Sequence, residues 1–320
     1  MKRTFLLVLV LLLAACTSVP ATVAATVLPT AVVPASTATF TPVPSDTPTL
    51  APTASPTPSG LIFAVIGDYG MGNQAEADVA ALVHGWNPDI VLTVGDDNYP
   101  EGAASTIDAN NGQFYRDYIY PYTGAYGPGA AENRFFPTLG NHDWYTIGAR
   151  PYFDYFTLPG NERYYDFTWG PVHFFAVDSD ENEPDGVGKS SVQAAWLKQA
   201  LAASTSRWNV VYFHHAPYSS GALHGSTTWM RWPFKDWGAD VVLAGHDHIY
   251  ERLLVDGLPY FVDGLGGGPI YNFGTALPES RFRYDADYGA LRVTVTQTEM
   301  DFEFDDRKGE RIDTYTLSKP

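Results

Sequence analysis

Five short apolar runs, each ending in a side chain that can donate to a metal ion or move a proton, constrain this chain more than any other feature. Leu61 to Ile66 leads into Gly67-Asp68, and Ile90 to Val94 leads into Gly95-Asp96. Phe135 to Leu139 leads into Gly140-Asn141, Val210 to Phe213 into His214, and Val241 to Ala244 into Gly245-His246. Runs this short, rich in Val, Ile and Phe, read as buried strands rather than helices. Helical patterns lie between them, at Gln74 to Trp86, Phe114 to Tyr120, Ser191 to Ala203 and Thr227 to Trp237. Alternating strands and helices predict an α/β layered domain with substantial parallel pairing. Ligands in such sheets gather at the carboxyl ends of the strands, which is where these polar residues stand. The later runs Leu258 to Val262, Ala290 to Thr296, Met300 to Phe304 and Arg311 to Leu317 read as antiparallel strands of a second sheet packed on the first.

The N-terminal part has a different character. Lys2 and Arg3 precede an apolar run from Phe5 to Leu13 and then Ala14-Ala15-Cys16. A basic start, a short apolar stretch and small residues before a cut describe an export signal over residues 1–15. The run is too short to span a bilayer, which takes roughly 20 apolar residues in a helix. Leu13-Ala14-Ala15-Cys16 resembles a bacterial lipobox, so the expected location is the cell surface through a lipid anchor at Cys16, with plain secretion as the alternative. Cys16 is the only cysteine, which excludes intramolecular disulfides. Residues 17–59 are dominated by Thr, Pro, Ala, Ser and Val, and Asp46 is their only charge. Such a segment buries too little apolar surface to offset its ordering entropy, so residues 16–59 are expected to be a disordered tether.

Residues 60–320 are expected to form one domain with a large core. The formal net charge of −17 argues against a nucleic-acid platform, which needs positive surface to meet phosphates. An acidic protein can still hold a phosphate group where metal cations supply the positive charge.

Taken as donors, Asp68, Asp96, Tyr99, Asn141, His214, His246 and His248 offer carboxylate and amide oxygens, a phenol and three imidazoles. Carboxylate and imidazole suit iron, zinc and manganese, and a phenolate suits the harder Fe³⁺. A Gly-Asp pair alone is an ordinary strand-end turn. The ordered set, each member at a strand end, is hard to explain as independent turns.

In these segments the chain resembles the calcineurin-like metallophosphoesterases, and within them the purple acid phosphatases of the small, tartrate-resistant type. The segments are Gly67-Asp68-Tyr69-Gly70, Gly95-Asp96-Asp97-Asn98-Tyr99, Gly140-Asn141-His142-Asp143, Val211-Tyr212-Phe213-His214 and Gly245-His246-Asp247-His248. Most of the superfamily has Asp-x-His at the first strand. Here Gly70 holds the histidine's position, and Tyr99 stands three residues after Asp96, as in purple acid phosphatases. The resemblance implies a four-layer α-β-β-α sandwich and a dinuclear centre. Fe³⁺ would lie at Asp68, Asp96, Tyr99 and His248, and a divalent ion (Fe²⁺, Zn²⁺ or Mn²⁺) at Asp96, Asn141, His214 and His246, with Asp96 bridging. It also implies His142 and His224 as catalytic residues, and hydrolysis of phosphate monoesters by hydroxide attack at the two metals.

Asp97, Asn98 and Asp143 are read as shaping the turns or supporting the ligands, and Asp247 as a possible support. His215 is a possible support for the ligands too, although it follows one of them and on a regular strand would point to the opposite face. His84 and His173 read as structural. Gly264-Leu265-Gly266-Gly267-Gly268 lacks the Lys-Ser/Thr of a P-loop and reads as a tight turn near the site. Trp229, Trp232, Phe234 and Trp237 have the spacing of core residues. Tyr115, Tyr118, Tyr120, Tyr122 and Tyr126 either line a rim or pack their loop. The expected substrate is a phosphorylated small molecule or phosphoprotein. The alternatives are a phosphodiesterase or nucleotide hydrolase using the same metals, and a non-catalytic surface-binding lipoprotein.

Overall fold

The computed structural model describes residues 60–320. The expected export signal, Cys16 and the proline-rich tether all lie outside the described residues. In chain order the strands are β1 (Leu61–Ile66), β2 (Ile90–Thr93), β3 (Phe135–Phe136), β4 (Tyr165–Trp169), β5 (Val172–Ala176), β6 (Trp208–His215) and β7 (Val241–Gly245). They continue with β8 (Tyr250–Val255), β9 (Leu258–Asp263), β10 (Ser280–Tyr284), β11 (Gly289–Val295), β12 (Glu299–Asp306) and β13 (Arg311–Ser318). The α-helices are α1 (Gln74–Trp86), α2 (Gln113–Tyr115), α3 (Asn141–Trp144), α4 (Arg150–Tyr155), α5 (Val192–Ala203) and α6 (Phe234–Trp237). No helix among the described residues is long and apolar enough to cross a membrane.

Two sheets result, with strand orders β13-β12-β11-β1-β2-β3 and β10-β8-β9-β7-β6-β5-β4. Within them, β1-β2-β3 and β5-β6-β7-β9 are parallel, and the remaining pairings are antiparallel. Alternation along β6 and β7 explains the layering. Val210, Tyr212, Val241 and Leu243 face the first sheet, where Phe63 meets Phe174 edge-on at 5.2 Å and Phe261 stacks on Phe302 at 4.6 Å. Val211, Phe213, Val242 and Ala244 face outward onto Ala194, Leu197 and Leu201 of α5 and Phe234 of α6. On the far side of the first sheet, α1 packs against β11 and contributes Val79 and Val83 to the core. The expected α-β-β-α sandwich is the observed architecture.

Helix α1 starts where Asn73 caps it, accepting from Glu76 N at 2.9 Å, and ends at Asn87 in the left-handed conformation before Pro88. Helix α5 is capped by Ser191, as the pattern from Ser191 predicts.

Three expectations need correction. The strands β11, β12 and β13 do not build a second sheet. They extend the first one across the open edge of β1, antiparallel to it, whereas β9 joins the other sheet parallel to β7. Sequence spacing cannot tell which open edge a late strand fills. The segment expected to be helical over Phe114 to Tyr120 is helical only as far as Tyr115, in α2, which continues a π-turn over Asp108–Gly112. The pattern over Thr227 to Trp237 is broken into a 3₁₀ turn (Thr228–Met230) and α6, because Pro233 has no N–H to continue a helix.

Candidate metal centre

Every residue expected to donate sits at the carboxyl end of a parallel strand or just beyond it. Asp68 follows β1, Asp96 and Tyr99 follow β2, Asn141 opens α3 after β3, His214 closes β6, and His246 and His248 follow β7. Asp68, Asp96 and His246 have positive φ angles of 53°, 55° and 73°. Each such residue costs about 1–3 kcal/mol and persists only where its surroundings impose it, and such strain concentrates at functional sites.

The donor atoms converge in two groups that share one oxygen. Tyr99 Oη lies 2.9 Å from Asp96 Oδ2, 3.4 Å from Asp68 Oδ1 and 2.9 Å from His248 Nε2, and His248 Nε2 is 3.3 Å from Asp68 Oδ1. On the other side, His214 Nε2 lies 3.1 Å from Asn141 Oδ1, 3.1 Å from His246 Nδ1 and 3.5 Å from Asp96 Oδ2. Asp96 Oδ2 belongs to both groups. All seven residues are brought together in the two sets of four that the resemblance implies.

The hydrogen bonds behind these atoms show that the set fits cations. His214 Nδ1 faces Val94 O at 2.8 Å, and His248 Nδ1 faces Pro269 O at 2.7 Å. A carbonyl can only accept, so each Nδ1 carries the proton, and each neutral ring aims its Nε2 lone pair at the neighbouring donors. Imidazoles held this way by a backbone carbonyl are the usual partners of metal ions. The remaining oxygens of the carboxylates are used for positioning. Asp68 Oδ2 accepts from His246 N at 2.9 Å, and Asp96 Oδ1 accepts from His142 N at 2.9 Å.

The electrostatics agree. Burial pushes the Asp68 carboxyl up, but His248 and His214 outweigh it and hold it below the ordinary carboxylate value. Burial lowers the His214 and His248 imidazoles, yet the carboxylates (Asp96 foremost at His214, Asp68 at His248) raise both above the ordinary histidine value. Both shifts arise from the carboxylate charge gathered here, which would favour a cation entering the cluster. Burial, followed by the charges of Asp96 and Asp68, drives the Tyr99 phenol well above its usual range, so its ionisation calls for a strong Lewis acid beside it.

Gly70 explains why a histidine is missing from the first strand. A Cβ there would stand 2.0 Å from Asp97 O and 2.6 Å from Asn98 N. The segment carrying Tyr99 lies against Gly70, with Tyr99 N donating to Gly70 O at 2.7 Å and Asn110 Nδ2 to the same oxygen at 2.6 Å. Any side chain at position 70 would displace the loop that delivers the phenol.

The supporting residues fall into place around this frame. Asp143 Oδ2 accepts from Gly140 N at 2.9 Å and Asp97 N at 3.2 Å, tying the Asn141 turn to the Asp96 turn. Asp97 accepts from Thr93 Oγ1 at 2.5 Å, and burial pushes its carboxyl up to about 7. Asn98 Oδ1 accepts from Thr106 Oγ1 and Asn110 Nδ2, bracing the Tyr99 turn from behind. Asp247 accepts from Ser219 Oγ at 2.6 Å and His224 N at 3.2 Å, so it fixes the loop of His224 and offers nothing to the donor cluster. In the glycine-rich loop, Gly268 N donates to Asp68 O at 2.7 Å and Gly266 N to Gly67 O at 2.9 Å, which places this turn directly beneath the site.

His142 and His224 flank the mouth. His142 Nδ1 faces Pro100 O at 2.6 Å, and its ring lies 4.3 Å from that of Tyr99, leaving Nε2 for the mouth. The exposed His224 stacks on His246 at 4.0 Å. His215 corrects the expectation that it points away, since its ring is 4.9 Å from His214 and 4.3 Å from His246. The β6–β7 register breaks between Tyr212 and His215, and with it the regular alternation that would have separated the rings. Ser179 Oγ holds His215 in place, 2.8 Å from its N and 3.0 Å from Nδ1.

His84 and His173 are structural, bonded to Phe114 O and to Asp166 and Ser204 respectively. Trp232 and Phe234 are core, but Trp229 leaves it and lies 5.9 Å from His215. Of the five tyrosines after β2, Tyr115 and Tyr118 are buried, Tyr122 bonds Asp108 within its loop, and Tyr120 and Tyr126 are exposed, so the group packs the loop. The residues that sequence reasoning missed are Tyr271, stacked on His248 at 4.1 Å, and Tyr145, bonded to Asn141. Neither belongs to a strand-end motif. Tyr145 alone carried a signal, standing four residues after Asn141.

A family model described as calcineurin-like phosphoesterase matches residues 61–250. Purple acid phosphatase 4 of Arabidopsis thaliana is 26% identical over 305 residues, covering 82% of this chain and 85% of that protein. A nucleotide pyrophosphatase/phosphodiesterase of Hordeum vulgare is 22% identical over 285 residues, covering 73% of each. Among solved structures, a purple acid phosphatase from yellow lupin (Lupinus luteus) seeds superposes with a TM-score of 0.66 at 18% identity. That match takes in 83% of this chain and 55% of the lupin chain.

Proposed function

The chain belongs to the calcineurin-like phosphoesterase family, and we propose that within it the protein is an exported phosphomonoesterase of the purple acid phosphatase kind with a dinuclear centre. The observation that carries this reading is Tyr99 Oη among Asp68, Asp96 and His248, in a backbone that excludes a side chain at Gly70. Asp68, Tyr99 and His248 would hold Fe³⁺, Asn141, His214 and His246 a divalent ion, and Asp96 would serve both.

Two such cations, when bound, polarise a phosphate and lower the pKa of water beside it. The residues of the chain supply the rest. Asp68 and Asp96 are fixed by backbone N–H groups, so the donor geometry is set before substrate arrives. His142, with Nδ1 committed to Pro100 O, presents Nε2 to the leaving-group side, where a protonated ring can donate to the departing oxygen. His224, stacked on His246, would contact the phosphate from the opposite wall.

Protein purified without added metal should contain iron and show a tyrosinate–Fe³⁺ charge-transfer band that is lost in Tyr99→Phe. A colourless, iron-free but fully active protein would defeat the Fe³⁺ assignment and leave the phosphoesterase reading intact. A second reading, diester or pyrophosphate hydrolysis, draws on the barley relative. Comparing a monoester with its matched diester decides between them, and equal or faster diester turnover would overturn the monoester proposal. Residues 1–15 and Cys16 support export with a lipid anchor. In that case Cys16→Ala should move the protein from the membrane fraction to the soluble one.

A further inference from the structure

Asn141 and Tyr145 are four residues apart across α3, which puts their side chains on one face. Asn141 Nδ2 donates to Tyr145 Oη at 3.1 Å, and this is the one protein partner of that nitrogen among the described residues. The other end of the same amide, Oδ1, lies 3.1 Å from His214 Nε2 within the divalent half of the cluster. An amide can present either its oxygen or its NH₂ to a cation, and only the oxygen binds. With Oδ1 toward the ion, the two N–H groups need an acceptor, and the Tyr145 oxygen is the one provided.

The ring of Tyr145 has a second exposure. It lies 4.7 Å from the His142 ring, and the residue is 60% exposed at the mouth. Trp229, also exposed, lies 5.9 Å from His215, so a second aromatic side chain faces solvent beside the donor cluster. Apolar groups that face solvent beside a set of polar donors offer a surface that a ligand can meet.

We propose that Tyr145 is both a positioning and a specificity residue. Its hydroxyl holds the Asn141 amide with Oδ1 toward the divalent ion, and its ring is the wall on which an apolar, preferably aromatic, leaving group packs. The proposal rests on the two-metal reading above. It commits the substrate to a single phosphate on an aromatic or apolar alcohol.

Two variants separate the roles, and both leave the buried frame untouched because Tyr145 is exposed. Tyr145→Phe keeps the ring and loses the acceptor. Its affinity for Zn²⁺, measured by titrating protein stripped of the divalent ion, should fall about tenfold, as when a ligand's outer hydrogen-bond partner is removed. The charge-transfer band and the ratio of kcat/KM for naphthyl phosphate over glycerol phosphate should stay as in the wild type. Tyr145→Leu should show the same Zn²⁺ loss and, in addition, a fall of about fivefold or more in that ratio, carried by KM for the aryl substrate. Wild-type Zn²⁺ affinity in Tyr145→Phe would overturn the positioning role, and an unchanged ratio in Tyr145→Leu would overturn the wall. Wild-type protein that binds no Zn²⁺ at all would overturn the two-metal reading together with this one.

Discussion

The two halves of the donor cluster are built differently. Around Tyr99 the site is closed. Asp68 is fully buried, His248 and Tyr99 are 3% and 7% exposed, and the glycine-rich loop lies directly beneath them. Around Asn141 it is open. Only His214 and the shared Asp96 are buried there, whereas Asn141 and His246 are partly exposed and Asn141 leans on the exposed Tyr145. The fold therefore dictates the chemistry of one half, by barring a histidine at Gly70 and delivering a phenol instead. In the other half it sets the donors but leaves them within reach of solvent, where availability would decide which of the proposed divalent ions is held.

The harshest way to break this contrast is to remove the atom common to both halves. Asp96→Asn replaces a shared carboxylate with a neutral amide, so both halves should lose affinity together. Activity should fall by about 10³-fold or more, because both the metals and the His142 turn depend on this side chain. Metal analysis showing one ion lost and the other retained would contradict the shared position of Asp96 Oδ2.

A gentler challenge uses the difference in exposure. Brief dialysis against a weak chelator should remove the divalent ion first, leaving the coloured half intact. Activity should drop by about 10–100-fold and return on adding Zn²⁺ or Mn²⁺. The measurement is metal content followed beside the visible band. Loss of colour before loss of the divalent ion would reverse the assignment of closed and open halves.

Gly70→Ala tests the closed half without touching a donor. Its Cβ would meet backbone atoms of Asp97 and Asn98, which cannot swing aside as a flexible side chain could. We expect a loss of about 1–3 kcal/mol in stability by denaturant unfolding, with a shifted charge-transfer band because Tyr99 moves with its loop. An unperturbed band would show that Gly70 and Tyr99 are independent.

The same contrast explains what the sequence could show. The seven donors were legible because parallel strands deliver their last residues to one edge, so five local motifs sufficed without knowledge of the loops. β1 and α1 were legible to the residue, since apolar runs and an Asn cap bound them. The pairing of β11 to β13 was not, because an antiparallel strand can cover either sheet's free edge with the same pattern. His215 was misread because a register break cancels the period of two on which the reading relied. Tyr271 was invisible for another reason: it reaches His248 from a loop in which no periodicity applies.

The smallest expected effect concerns the support behind the closed half. Glu76, in the first turn of α1, is fully buried; its Oε2 accepts from Met71 N and Gly72 N at 2.9 and 2.6 Å, while Oε1 has no partner among the described residues. Burial raises its carboxyl well above the ordinary value, against the pull of those two N–H groups. The folded state therefore binds this proton more tightly than the unfolded chain, whose glutamate titrates at about 4.3. A raised folded value means that Glu76 contributes its stability below that unfolded value and loses it as pH rises through the folded one. Glu76→Gln is neutral in both states and has no such dependence. Unfolding free energies from denaturant titration should thus favour the wild type most at pH 4, with the advantage shrinking steadily toward pH 7. A difference that grows with pH would mean that Glu76 is held ionised, and that the turn from Asp68 to Asn73 carries a buried charge instead of a proton.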